Sequence, residues 1–161
     1  MKNLKLYYID DDYIDYLRMF DDKVPYNKNR TRPYIGVVYK FEGVNYFAPL
    51  SSPKPKHLKI NDKSVDVFKI DNGKLGVVNL NNMLPTPLNC LTDVLPNLKD
   101  DDKYKGLLID QLNCINKEKE ILYAKIVTFQ KRYRAGHIND RIKERCCNFG
   151  LLEEKCNEYN K

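Results

Sequence analysis

The stretch Tyr34–His57 reads YIGVVYKFEGVNYFAPLSSPKPKH. β-Branched and aromatic residues crowd its first sixteen or so positions, and Glu42-Gly43 interrupts them as a turn, so the run predicts a β-hairpin. The second half ends at Leu50. Two hydroxyls follow, Ser51 and Ser52, and then lysines alternate with prolines as far as His57. Pro53 and Pro55 have no amide hydrogen to give a ladder, so the chain must leave the sheet there. The same prolines stiffen the exit and present Lys54 and Lys56 with little conformational freedom left to lose.

Working outward, Leu4–Ile9 is a short strand candidate. Asp10 to Asp12 place cap options and negative charge at a helix start. Tyr13, Ile14, Leu17 and Phe20 then follow a helical rhythm. A polar, basic loop lies between Pro25 and Pro33. A second hairpin signal, VDVFKI-DNGK-LGVVNL, turns at Asn72-Gly73. After Pro87 the texture becomes helical: Tyr104 to Ile115 and Ile121 to Phe129 each keep a 3.6-residue period, with Asn116 as the expected break. Gly136 ends the second helix behind Lys131, Arg132 and Arg134, where the helix dipole favours cations. Asn148 caps a last one. The expectation is one α+β domain over residues 1–161, a compact and strongly curved antiparallel sheet or barrel with helices packed around it.

The chain has 161 residues, 42% of them apolar, and a net charge of +6. The charge is unevenly spread: the segment following Ile9 is acidic, whereas KNRTRP, KPKHLK and QKRYRAGHINDRIKER are basic. That clustering favours a polyanionic partner. The five cysteines form an odd set with an adjacent pair and no C-x-x-C spacing, which fits idle thiols in a reducing cytoplasm better than disulfides or zinc. No metal or other cofactor is expected. No apolar run approaches the ~20 residues that cross a bilayer, so no membrane partner is expected either.

The serine–lysine corner has a plain structural reading, a solvated loop protecting a sheet edge. It also has a chemical one. Cutting RNA without a metal requires removing the 2′-hydroxyl proton, stabilising a pentacoordinate phosphorane and protonating the departing 5′-oxygen. Hydroxyls beside lysine and arginine supply relays and phosphate clamps. Lysine's ordinary pKa of about 10.4 suits it to charge stabilisation more than to base catalysis. Serine-based acyl transfer fits poorly, because G-x-S-x-G is absent and His57 has no evident partner acid. A non-catalytic RNA-binding module stays open as the alternative, and a DNA-binding regulator is disfavoured for want of a recognition-helix signature.

Five strings, FDDKVP (20–25), YIGVV (34–38), YFAPLSSPKPKH (46–57), LGVVNLNNMLP (75–85) and NFGLLEEKC (148–156), occur in this order and resemble the ToxN/AbiQ family, the toxins of type III toxin–antitoxin systems. The resemblance spans about Leu4 to Tyr159. It implies a Kid/MazF-like fold and a metal-independent endoribonuclease that leaves 2′,3′-cyclic phosphate and 5′-hydroxyl ends. It further implies cutting of cellular mRNA, trimming of a repetitive antitoxin RNA precursor, inhibition by the resulting RNA pseudoknot in a closed cyclic protein–RNA assembly, and a place in phage-abortive defence. Carried over by position, Ser52 is the catalytic hydroxyl, Ser51 supports it, and Lys54 activates the hydroxyl or neutralises phosphate. Arg32 and Tyr26 come from the basic loop. RNA-binding roles fall to Lys28, Arg30, Lys56, His57 and Lys59, with Arg141, Lys143 and Arg145 extending the groove. His137 is expected to be a surface residue.

Overall fold

The computed structural model describes residues 2–27, 31–98 and 102–159. Strand β1 (Lys5–Ile9) leads into helix α1 (Asp11–Arg18), whose Tyr13, Ile14 and Leu17 are buried as the spacing required. Phe20 lies beyond the helix end instead of on its apolar stripe, about a third exposed (37%), with the Lys155 ammonium 4.4 Å from its ring centre. Strands β2 (Tyr34–Phe41) and β3 (Val44–Ser51) form the expected hairpin, turning through Glu42 and Gly43 at φ values of 47° and 83°. Two left-handed residues in succession match the turn that follows the native strand twist.

The second hairpin exists but is reduced. β4 (Val67–Lys69) and β5 (Val77–Asn79) pair from Val67 opposite Asn79 to Lys69 opposite Val77, and the link between them is a compact turn over Ile70–Gly76 in place of a two-residue loop. Two short strands were not foreseen: β6 (Leu84–Pro85) pairs with β3, and β7 (Leu91–Asp93) pairs with β1. The sheet runs β4-β5-β3-β2-β1-β7, with β6 beside β3 and every described pairing antiparallel. Its two ends do not pair with each other among the described residues, so the antiparallel sheet of the expectation is found, but as an open sheet in place of a Kid/MazF-like barrel. Three-residue end strands are too short to bring the edges round.

Four further helices follow: α2 (Asp102–Lys117), α3 (Lys119–Arg134), α4 (Asp140–Arg145) and α5 (Phe149–Glu158). Helix α3 packs on β2, and α5 on β3 and β6. Asn116 does not break the helices, which part at Glu118. Its amide instead grips the start of β1, accepting from Leu4 N–H at 2.7 Å and donating to Leu4 O at 3.1 Å. Asn148 caps α5 by accepting from Leu151 N–H at 3.2 Å, and Gly136 (φ 74°) ends α3, both as expected. The core centres on Phe129, Phe149 and Tyr46, whose rings meet edge to face. Beside them the Tyr46 hydroxyl donates to Glu153, which also receives Arg134 Nη2 at 2.6 Å, while the guanidinium lies 3.6 Å over the Phe41 ring. This polar knot ties α3, α5 and the hairpin together.

Candidate active site

The β2–β3 register decides where the site forms. Tyr34 lies opposite Pro49, so extending the ladder by two residues sets Arg32 opposite Ser51. Leu50 N–H donates to Pro33 O at 3.1 Å and holds that junction closed. On its other side the end of β3 is gripped by β5, with Ser51 opposite Val77. Ser51 Oγ accepts from Asn79 Nδ2 at 2.8 Å. One lone pair of Ser51 is thereby occupied, and its proton is left to turn toward the cleft. The close approach has a steric basis at Gly76: a Cβ there would stand 2.0 Å from Ser51 O, and its φ of 97° also requires glycine.

After Ser52 the chain leaves the sheet at Pro53. Lys54 is extended (φ −138°, ψ 150°), the conformation its neighbour Pro55 favours, and the turn Pro55–Lys59 follows. His57 locks this turn from inside. Its N–H donates to Lys54 O at 2.9 Å, and its Nδ1 accepts from Lys54 N–H at 3.1 Å, so the ring proton sits on Nε2. The side chain is buried at 2% exposure. Burial first, then the Lys56 and Lys54 charges, push its pKa below the usual histidine value. The expectation that His57 touches a ligand is therefore corrected: it lies under the loop. A local reading failed here because lysines on both sides made the residue look exposed.

Ser51, Ser52, Lys54 and Arg32 line one cleft of about 530 Å³, together with Thr31, Pro33, Leu50 and Tyr104. No carboxylate lines it among the described residues. Two cations, hydroxyls and a phenol in an acid-free hollow make an anion site, and arginine with lysine suits phosphate in particular. Arg32 is braced through Nε, which donates to Tyr26 O at 3.0 Å, and the Tyr26 ring carries the Arg18 guanidinium 3.6 Å from its centre. Tyr26 itself is exposed (69%) and does not line the cleft. Asn27 anchors that loop by donating to Ile9 O at 2.6 Å and Asp11 Oδ1 at 2.6 Å.

Lys56 and Lys59 are exposed on the turn that carries Lys54 but do not line the cleft. Lys28 and Arg30 lie outside the described residues. Arg141 and Lys143 are exposed on α4, away from the cleft lining, and Arg145 Nη2 is paired at 3.0 Å with the buried Asp66. Thr31, Asn79 and Tyr104 were missed. Tyr104 read as one apolar position of a helix, and Asn79 as the end of a strand; strand register brings Asn79 to Ser51, and the docking of α2 brings Tyr104 to the cleft.

The family described as Toxin ToxN, type III toxin-antitoxin system, matches residues 5–157. The chain is 36% identical to the Endoribonuclease ToxN of Bacillus thuringiensis subsp. kurstaki, over 98% of this chain and 84% of that protein. It is 33% identical to the Endoribonuclease ToxN of Pectobacterium atrosepticum, over 98% and 95%. A solved structure of AbiQ, a lactococcal anti-phage endoribonuclease of a type III toxin–antitoxin system, superposes with a TM-score of 0.85 at 27% identity, covering 98% of each chain. A toxin structure tied to selective inhibition by a non-coding RNA pseudoknot superposes with a TM-score of 0.80 at 32% identity, again over 98% of each chain. The overall fold is thus shared with solved toxins of type III toxin–antitoxin systems. The chain belongs to the ToxN family of type III toxin–antitoxin systems.

Proposed function

We propose that the chain, acting as a single domain, is the endoribonuclease toxin of a type III toxin–antitoxin system. The observation that carries this reading is the convergence of Ser51, Ser52, Lys54 and Arg32 in one acid-free cleft. The attacking nucleophile is the ribose 2′-hydroxyl of the substrate. Its oxygen bonds to phosphorus as the P–O5′ bond breaks, giving a 2′,3′-cyclic phosphate and a 5′-hydroxyl. Ser52 serves as the hydroxyl at the reacting phosphate, Ser51 supports it from the Asn79 hydrogen bond, and Tyr26 steadies Arg32. Lys54 and Arg32 neutralise the charge gathering on the non-bridging oxygens. Because these two cations supply that charge from the protein, cleavage is expected to proceed in EDTA.

The relatives' names support extending this reading to biology. The toxin trims its own antitoxin precursor and is held inactive by the resulting RNA pseudoknot in a closed cyclic assembly; once released, it cuts cellular mRNA in the cytoplasm and so serves phage-abortive defence. Lys56 and Lys59, with Lys28 and Arg30, bring backbone phosphates to the cleft, and Arg141 and Lys143 extend the groove. Ser52→Ala and Lys54→Ala are the test. Both variants should bind RNA in EDTA and cut it at least a hundredfold more slowly, the scale of losing one transition-state contact. Wild-type cleavage by Ser52→Ala would overturn the assignment. Binding without cuts by the wild-type protein would favour a non-catalytic RNA-binding module.

A further inference from the structure

A second cationic hollow lies apart from the cleft, and a break in the sheet creates it. Between Gly36 and Tyr39 the β2–β3 register slips: Gly36 lies opposite Phe47 and Tyr39 opposite Tyr46, so Val37 and Val38 have no partner on β3. The β1 ladder reaches only to Lys5 opposite Gly36. The pair therefore lies outside both ladders, and bulges of this kind often re-aim a strand beside a functional site. At Gly36 the Phe47 ring takes the place a Cβ would fill, 2.2 Å from that position, and Tyr7 meets the same ring edge-on with centroids 5.5 Å apart.

The resulting pocket measures about 590 Å³, within the range of small-ligand sites. Tyr7, Tyr39 and Tyr123 give it aromatic walls, and Lys2, Lys5 and Lys40 rim it. All three lysines are exposed, and none forms an ion pair among the described residues. Among the described residues no carboxylate lines the pocket. Strand alternation separates it from the active cleft: Lys5 and Tyr7 turn to the pocket, whereas Tyr8 stands near Tyr104 on the cleft side. Along β2 the two lie about 20 Å apart, taking Arg32 and Val38 as centres at about 3.3 Å per residue.

One exposed tyrosine, Tyr123, and two half-buried ones, Tyr7 and Tyr39, within a lysine rim are the chemistry that holds an unpaired nucleotide, its base on a ring and its phosphates on the cations. We propose that this bulge pocket is a second RNA-binding site, separate from the cleavage cleft, which takes an unpaired nucleotide of the bound RNA. The inference rests on the endoribonuclease reading. It gives the toxin a hold on RNA that does not pass through its catalytic groups.

The test uses full-length Ser52→Ala protein and a mixed-sequence single-stranded RNA carrying 4-thiouridine, long enough to reach both sites. Photocrosslinks should map to peptides containing Tyr39 or Tyr123 as well as to cleft peptides. In a Lys5→Ala/Lys40→Ala background the pocket adducts should vanish while the cleft adducts persist. The slope of log affinity against log salt should become shallower by about 1.4, at about 0.7 for each lost phosphate contact with a single strand. Crosslinks confined to the cleft, or an unchanged slope, would overturn the second site and leave the cleavage reading intact. The absence of RNA binding anywhere would overturn both.

Discussion

His57 turns the geometry of the loop into a measurable pH dependence. Replacing it by alanine removes a buried imidazole and the acceptor of the Lys54 N–H. The lost hydrogen bond is worth about 1 kcal/mol and the vacated space about 2 kcal/mol more, so His57→Ala should lower stability by about 3 kcal/mol. If the hydrogen-bond share comes off the positioning of Lys54, cleavage should slow by about fivefold to tenfold, since 1.4 kcal/mol is tenfold in rate. Asparagine places an oxygen near the position of Nδ1, so His57→Asn should recover most of the rate. Acid should mimic the alanine substitution, because a protonated Nδ1 cannot accept. The folded state keeps His57 neutral to a lower pH than the unfolded chain does. The unfolded state then binds more protons, and the stabilisation is complete above the unfolded value of about 6.5 and lost as pH falls through the lower folded one. Single-turnover cleavage of a fluorescent RNA across pH, paired with thermal melts, reads both effects. Wild-type rates for His57→Ala, or an acid limb unchanged in His57→Asn, would refute the reasoning.

Other perturbations follow from the same contacts. Gly76→Ala drives a Cβ against Ser51 O and strains the backbone at φ 97°, so it should destabilise the fold by about 1–3 kcal/mol in denaturant titrations and depress cleavage out of proportion to RNA binding. Asn79→Ala removes the amide that donates to the Ser51 hydroxyl. Its kcat should fall by about tenfold with KM little changed, whereas a raised KM with kcat unchanged would make Asn79 a binding residue. Glu153→Ala leaves Arg134 and the Tyr46 hydroxyl without their acceptor and should lower stability by about 3 kcal/mol, the low end for a buried pair because Arg134 keeps some solvent. In a chain of this size that is about 6–12 °C in Tm. A shift below 2 °C, about 0.5–1 kcal/mol, would show that the knot contributes little.

The parts readable from sequence were those governed by neighbours along the chain. β-Branched and aromatic residues on either side of Glu42-Gly43 defined the β2–β3 hairpin, helical periodicity defined α1 and the span of α2 and α3, and Asn148 and Gly136 marked helix ends by their own side-chain and backbone chemistry. Ser52 and Lys54 were visible because prolines beside a strand end are a local signal. Of their partners, Arg32 was picked out through the family resemblance, whereas Asn79 and Tyr104 carried no local signal. Arg32, Asn79 and Tyr104 reach the serines from a preceding loop, a second hairpin and a helix, and which of them arrive depends on strand register and helix docking.

Tertiary structure likewise decided that the sheet stays open, that two- and three-residue stretches at Leu84 and Leu91 become strands, and that His57 turns inward beneath its lysines. Each of these is a choice among long-range pairings that local preferences leave nearly equal. Composition and periodicity set which faces must be buried. The packing of those faces against one another set which distant residues meet, and with that the position of a cationic hollow at the end of β3.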